Sequence, residues 1–150
     1  MLVTAAFVIV ADQLSKAWVV ANLDPGERIA ILGDILGIRL TTNPGGAFGL
    51  FPGATLFFFV ASLAIVVVVV VWALRDLENP GAFGMVLGGG IGNLIDRLVR
   101  PPAPMRGRVI DFLDLSFWPT FNFADSAIVL GVIVLFAAAV FQPGKDEPSK

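Results

Sequence analysis

The chain contains no cysteine and no histidine. The first absence removes disulfides, thiolate nucleophiles, iron–sulfur clusters and cysteine zinc sites. The second removes Ser-His-Asp and Cys-His catalysis and every imidazole metal site. An enzyme with this sequence must take its acids and bases from Asp, Glu or Lys. A carboxylate-only metal site stays open in principle, but no calcium-loop pattern is present. Neither a metal nor a cofactor is expected. Charge is also scarce: 15% of the 150 residues are charged and 57% are hydrophobic. Ordinary soluble domains run at about 25% charged and roughly 45–50% apolar. A soluble fold of this size would leave much apolar surface in water, so a polytopic membrane protein is expected, as one domain over 1–150. The net charge of −2, without a long basic run, argues against a nucleic-acid partner.

Four stretches are apolar enough to span a bilayer: about 1–21, 54–74, 80–99 and 122–141. The second carries no charge, and its residues 65–71 are all β-branched. In water that run would read as a buried strand; in lipid a helix satisfies its own backbone, which favours helix. The fourth is continuously apolar only over 127–141, too short to span, so it must begin near Asn122. The first span lacks a basic leader and is broken by Asp12 and Lys16, so it does not read as a signal peptide. Residues 142–150 form a charged tail, expected to be disordered.

Four spans put both long loops on one side. The first loop, 22–53, holds apolar runs at 29–32 and 35–40 around Gly33-Asp34. These read as two short strands and a turn. The second loop covers 100–121. The long loops carry Arg28, Arg39, Arg100, Arg106 and Arg108, whereas the termini side carries Arg75, Lys145 and Lys150. Taken literally, that count places the long loops in the cytoplasm.

Ionisable groups inside a span are costly, on the order of 2.5–3.5 kcal/mol each, and ask for a reason. Asp12 and Lys16 are four apart, hence on one helical face, and read as a mutually neutralising packing pair. The third span shows two stripes at four-residue spacing: Gly84, Gly88, Gly92, Asp96 and Met85, Gly89, Asn93, Arg97. Close helix packing explains the glycines. It does not explain Asn93 and Arg97, which read as polar groups pointing into a bundle interior.

Of the 12 acids, most have a plain structural reading. Asp146 and Glu147 lie in the tail, and Asp76 and Glu78 in a short connection. Asp24, Glu27 and Asp34 sit in turns, and Asp12 has Lys16. Asp96 has no evident partner, because its neighbour Arg97 faces elsewhere. Asp111, Asp114 and Asp125 remain. Asp114 reads most simply as a solvated loop acid, and Asp125 as a helix-start carboxylate. Two carboxylates held together at a low-dielectric boundary share one proton. One can then deprotonate water while the other polarises a carbonyl, which is aspartic-protease chemistry.

At five places the chain resembles the bacterial lipoprotein signal peptidases (signal peptidase II). Asp12-Gln13-Leu14-Ser15-Lys16 resembles the D-Q-x-x-K of that family. Asn43-Pro44-Gly45-Gly46-Ala47-Phe48 resembles N-x-G-A-A-F, with Gly46 in place of Ala. Residues 88–97 resemble G-G-x-x-G-N-x-x-D-R, Val109-Ile110-Asp111-Phe112 resembles V-x-D-F, and residues 121–126 resemble F-N-x-A-D-S. The resemblance implies a four-helix membrane aspartic endopeptidase with a small β-strand platform in the first long extracytoplasmic loop. Its catalytic acids would be Asp111 and Asp125. Its substrate would be a prolipoprotein, cut before a diacylglyceryl-modified cysteine whose acyl chains stay in membrane lipid. A cyclic-peptide inhibitor of the globomycin type is implied as well. Asn43, Gly89, Asn93, Arg97 and Asn122 are the candidates on the substrate side, with Asn122 also suited to orienting the acids; Asp12 and Lys16 would be structural support. Both termini would be cytoplasmic in the bacterial inner membrane, against the charge count; five motifs outweigh that small excess.

The nearest enzymatic rival, a Ser/Lys protease, is weak because Ser15 and Lys16 point about 100° apart on a helix. A small transporter or channel using intramembrane Asp, Lys and Arg is the alternative from another class, weakened by the lack of an inverted repeat.

Overall fold

A computed structural model describes residues 1–45, 55–75 and 78–141. The charged tail and the Gly46-Ala47-Phe48 part of the second motif lie outside these residues. The order of elements is α1 (Leu2–Asn22), β1 (Arg28–Leu32), β2 (Leu36–Asn43), α2 (Thr55–Ala73), α3 (Pro80–Val99), β3 (Val109–Leu115) and α4 (Phe123–Phe141). All four helices are long and apolar enough to cross a membrane.

The β-branched run is helical, within α2. It presents an apolar surface nearly all round, as suits a helix solvated by lipid. The central helix is α3, which packs against the other three and is buried over most of its length. Its glycines make this possible. A Cβ on Gly88 would lie 2.7 Å from the Ala5 carbonyl oxygen of α1, and one on Gly89 2.4 Å from the Ala124 carbonyl oxygen of α4. The two stripes read from the sequence therefore face two different neighbours, α1 and α4, at backbone-to-backbone range.

At one end of the bundle the strands form an antiparallel sheet in the order β1-β2-β3. Val19 and Leu23 at the end of α1 pack with Leu40, Ile110 and Phe112 of the sheet, so that an apolar cluster seats the sheet on the helix end. The hairpin of the first loop is present, with Gly33 at φ +50° in its turn, a backbone conformation glycine adopts freely. Two features extend the sequence reading. The second strand runs on to Asn43, and a third strand arrives from the second long loop. Val109 to Phe112 are buried consecutively, so β3 lacks the alternation that marks a half-exposed strand. Its pairing with Thr41, Thr42 and Asn43 is what keeps the end of β2 extended.

Candidate active site

The polar centre of the bundle is built on Lys16. Its ammonium lies 2.8 Å from Asp12 Oδ2 on its own helix and 2.8 Å from Asp96 Oδ2 on α3, with all three side chains fully buried. It also donates to Asn93 Oδ1 at 3.1 Å. The partner that Asp96 lacked in sequence is thus the lysine of another helix. Arg100 adds a second cation to Asp96 at 2.7 Å, and the Ile110 amide donates to it at 3.2 Å. Asp12 accepts the backbone N–H of Ala124 at 3.0 Å, tying α1 to the first turn of α4. Gln13 donates to Asp12 Oδ2 and to the Gly92 carbonyl, both at 3.1 Å. A buried charge survives in such a site only when paired and hydrogen-bonded, and each of these is.

One layer toward the sheet lie Asp111 and Asp125. Asp111 projects from β3 and Asp125 from the first turn of α4. Asp111 accepts from Asn43 Nδ2 at 3.0 Å and from Asn122 Nδ2 at 2.7 Å. Asp125 accepts from Asn93 Nδ2 at 2.8 Å and from the Asn122 backbone N–H at 3.3 Å. Asn122 caps α4 in return, its Oδ1 accepting the Asp125 N–H at 2.9 Å, which makes a reciprocal capping box. One asparagine therefore touches both acids, and Asn93 links Asp125 to Lys16. Burial and the nearby charge of Asp125 push the Asp111 carboxyl up to about 7, against the hydrogen bonds from Asn43 and Asn122.

Both acids open onto a cavity of about 620 Å³ that is also bordered by Asn43, Asn93, Arg97 and Phe58. Arg97 is 6% exposed, and its Nε and Nη1 have no hydrogen-bond partner among the described residues. Its guanidinium lies over the Phe58 ring at 5.9 Å, a cation–π contact. A buried cation with free donors beside two carboxylates is an arrangement for holding a carbonyl oxygen.

A family sequence model described as "Signal peptidase (SPase) II" matches residues 4–141. The chain belongs to the signal peptidase II family. It is similar to the lipoprotein signal peptidase of Rhodococcus jostii (strain RHA1), 43% identical over 136 residues, or 89% of this chain and 68% of that protein. The lipoprotein signal peptidase of Syntrophomonas wolfei subsp. wolfei (strain DSM 2245B / Goettingen) is 38% identical, over 93% of this chain and 92% of that one. A solved bacterial membrane enzyme superposes at a TM-score of 0.84 with 28% identity, covering 99% of this chain and 93% of that chain. As a signal peptidase II, the chain is a multi-pass membrane protease, and the transporter alternative falls away.

Within this signal peptidase II fold one expectation, that for Asp114, needs correction. Gly89 is buried beside Ala124 and Ile128, where its missing side chain lets α3 and α4 touch. Asn122 is fully buried and meets Asp111 and the start of α4. Asp114 is no solvated loop acid. It is buried and bridged by Arg28 at 2.7 Å and by Arg39, with Thr120 hydrogen-bonded at 3.3 Å. Burial raises its carboxyl, but the two guanidinium hydrogen bonds prevail and hold it below the usual range. No local pattern announces this, because Arg28 and Arg39 lie 86 and 75 residues away in sequence.

Proposed function

We propose that the chain is an aspartic endopeptidase that removes signal peptides from prolipoproteins, cutting before a diacylglyceryl-modified cysteine. The observation that carries the reading is the pair of buried acids from β3 and α4, held at one cavity by three asparagines. Asp111, raised to about 7, is the resting holder of a shared proton. Asp125 then acts as the base. It takes a proton from water, and the resulting hydroxide attacks the scissile carbonyl. Asp111 gives its proton to the oxyanion as the tetrahedral intermediate forms. Collapse returns that proton to Asp111, while Asp125 passes the water proton to the leaving amine. The free donors of Arg97 suit the substrate carbonyl beside the scissile bond. Asn43 and Asn93, engaged with the acids here, border the same cavity and can also meet the substrate main chain. Asp12 and Lys16 support the site from beneath.

The substrate's acyl chains would remain in lipid, where their binding energy positions the peptide. The reading places the chain in the bacterial inner membrane, with both termini cytoplasmic and the sheet on the outer side. A cyclic-peptide inhibitor of the globomycin type would compete for the cavity. The test is cleavage of a diacylglyceryl-modified prolipoprotein by purified chain in detergent, beside Asp111→Asn and Asp125→Asn. Cleavage by wild type alone is expected, with each variant down by at least about 10³-fold. Wild-type rates from either variant would remove that acid from the mechanism.

A further inference from the structure

A second cavity, of about 480 Å³, lies on the other side of the sheet from the acids. The two-residue period of a strand sends Asp111 to one face of β3 and Ile110 to the opposite one, with Arg108 just before the strand. The floor of the cavity is apolar: Ile110 and Leu40 from the sheet, and Val20 from the last turns of α1. Its polar wall is Thr42, Arg100 and Arg108. Arg100 is the residue at which α3 ends, and α1 ends at Asn22. The cavity therefore sits at the depth where two spans leave the hydrocarbon. Val20 and Val99 beside it are exposed, as lipid-facing residues are.

The two cations differ in state. Arg100 gives its Nε to Asp96 at 2.7 Å, in an ion pair. The Arg108 side chain is exposed and makes no ion pair or side-chain hydrogen bond there. The acids nearest along the chain are already matched: Asp96 by Lys16 and Arg100, and Asp114 by Arg28 and Arg39. The cavity thus carries one cation without an ion pair among the described residues, Arg108, beside the Asp96-paired Arg100, above apolar walls at a membrane boundary. A glycerophospholipid with a net negative headgroup has the complementary form, its phosphodiester at the guanidiniums and its upper acyl carbons along Val20 and Ile110.

We propose that this cavity is a headgroup site for an acidic phospholipid of the leaflet on the sheet side, with Arg108 binding its phosphodiester and the terminal nitrogens of Arg100 beside it. Bound there, the lipid would join the ends of α1 and α3 to the face of the sheet that lies behind Asp111. The site is separate from the proposed peptidase chemistry and stands whether or not that reading holds.

The test uses the full chain, delipidated in detergent and then exposed to mixed micelles containing either phosphatidylglycerol or phosphatidylcholine. Lipid retained is counted by native mass spectrometry, for wild type, Arg108→Gln and Arg106→Gln. Arg106 is exposed on the same loop but does not border the cavity. Wild type is expected to retain phosphatidylglycerol in preference to phosphatidylcholine. Arg108→Gln should lower that retention about fivefold, the worth of one juxtamembrane arginine, and Arg106→Gln should leave it near wild type. Inorganic phosphate at the same concentration should not displace the lipid. Equal retention of the two lipids would overturn the proposal, as would equal losses in the two variants. Displacement by inorganic phosphate would also overturn it, because the site would then be an ion site and not a lipid site.

Discussion

Replacing Asp111 by Asn should make the protein more stable at alkaline pH while abolishing its activity. The folded chain raises the Asp111 carboxyl from 3.8 to about 7. Between those values the folded state binds more proton than the unfolded state, so stability falls as pH rises through the window. Above the upper value the whole cost is present, roughly 4 kcal/mol for about three units at 1.36 kcal/mol each. An asparagine carries no charge and escapes that cost. It has one carbonyl oxygen, however, and cannot accept from both Asn43 and Asn122, which now serve the two oxygens of Asp111. One buried donor left facing an amide N–H costs about 1–2 kcal/mol. The net gain at pH 8 is then about 2–3 kcal/mol, on the order of 5–10 °C in Tm. Below pH 4 the wild-type side chain is neutral too, and the variant should be the less stable of the two. The assay is thermal unfolding of both proteins in one detergent from pH 4 to 8.5, and the informative feature is a crossing of the two Tm curves. Curves that stay parallel across the range would refute the burial argument for Asp111.

Lys16→Met should strand Asp12 and leave Asp96 to Arg100 alone, costing about 3–5 kcal/mol as a broken buried pair. Folded yield in membranes should fall sharply, and adding Asp12→Asn should restore part of it. Asp114→Asn should cost roughly 1–3 kcal/mol by releasing Arg28 and Arg39 from the sheet. Because the Asp114 carboxyl is held low, its contribution is present above the usual carboxylate range and lost on acidification through the folded value. The wild-type advantage over this variant, measured by unfolding, should therefore shrink as the pH is taken down.

The helices were legible because lipid imposes one rule on the backbone, and length and apolarity report it directly. The β-branched run of α2 shows the rule overriding local propensity. The third strand was not legible, because β3 is buried on successive residues and its partner lies far away in sequence. Asp111 and Asp125 could be narrowed by elimination, since most other acids had a turn, a tail or a neighbouring lysine. Singling them out from Asp114 needed the motif resemblance. What sequence could not supply was pairing across elements. Asp96 meets Lys16, and Asp114 meets Arg28 and Arg39, only once helices and strands are assembled. The contact of Gly89 with α4 belongs to the same class, visible only in the assembled bundle.

The Lys16 centre also bears on how the chain enters the membrane. α1 is made before α3, and it carries a lysine and an aspartate into a medium that tolerates neither alone. Asp12, one turn away, neutralises Lys16 from the moment that helix forms. Asp96 arrives roughly 80 residues later, which at ribosomal speed is about 4–16 s. During that interval the first span can hold its place as a self-contained ion pair. When α3 comes alongside, its carboxylate and Asn93 complete the shell around the ammonium. The spacing of four residues between Asp12 and Lys16 thus lets a span built for the finished bundle survive the wait for its partners.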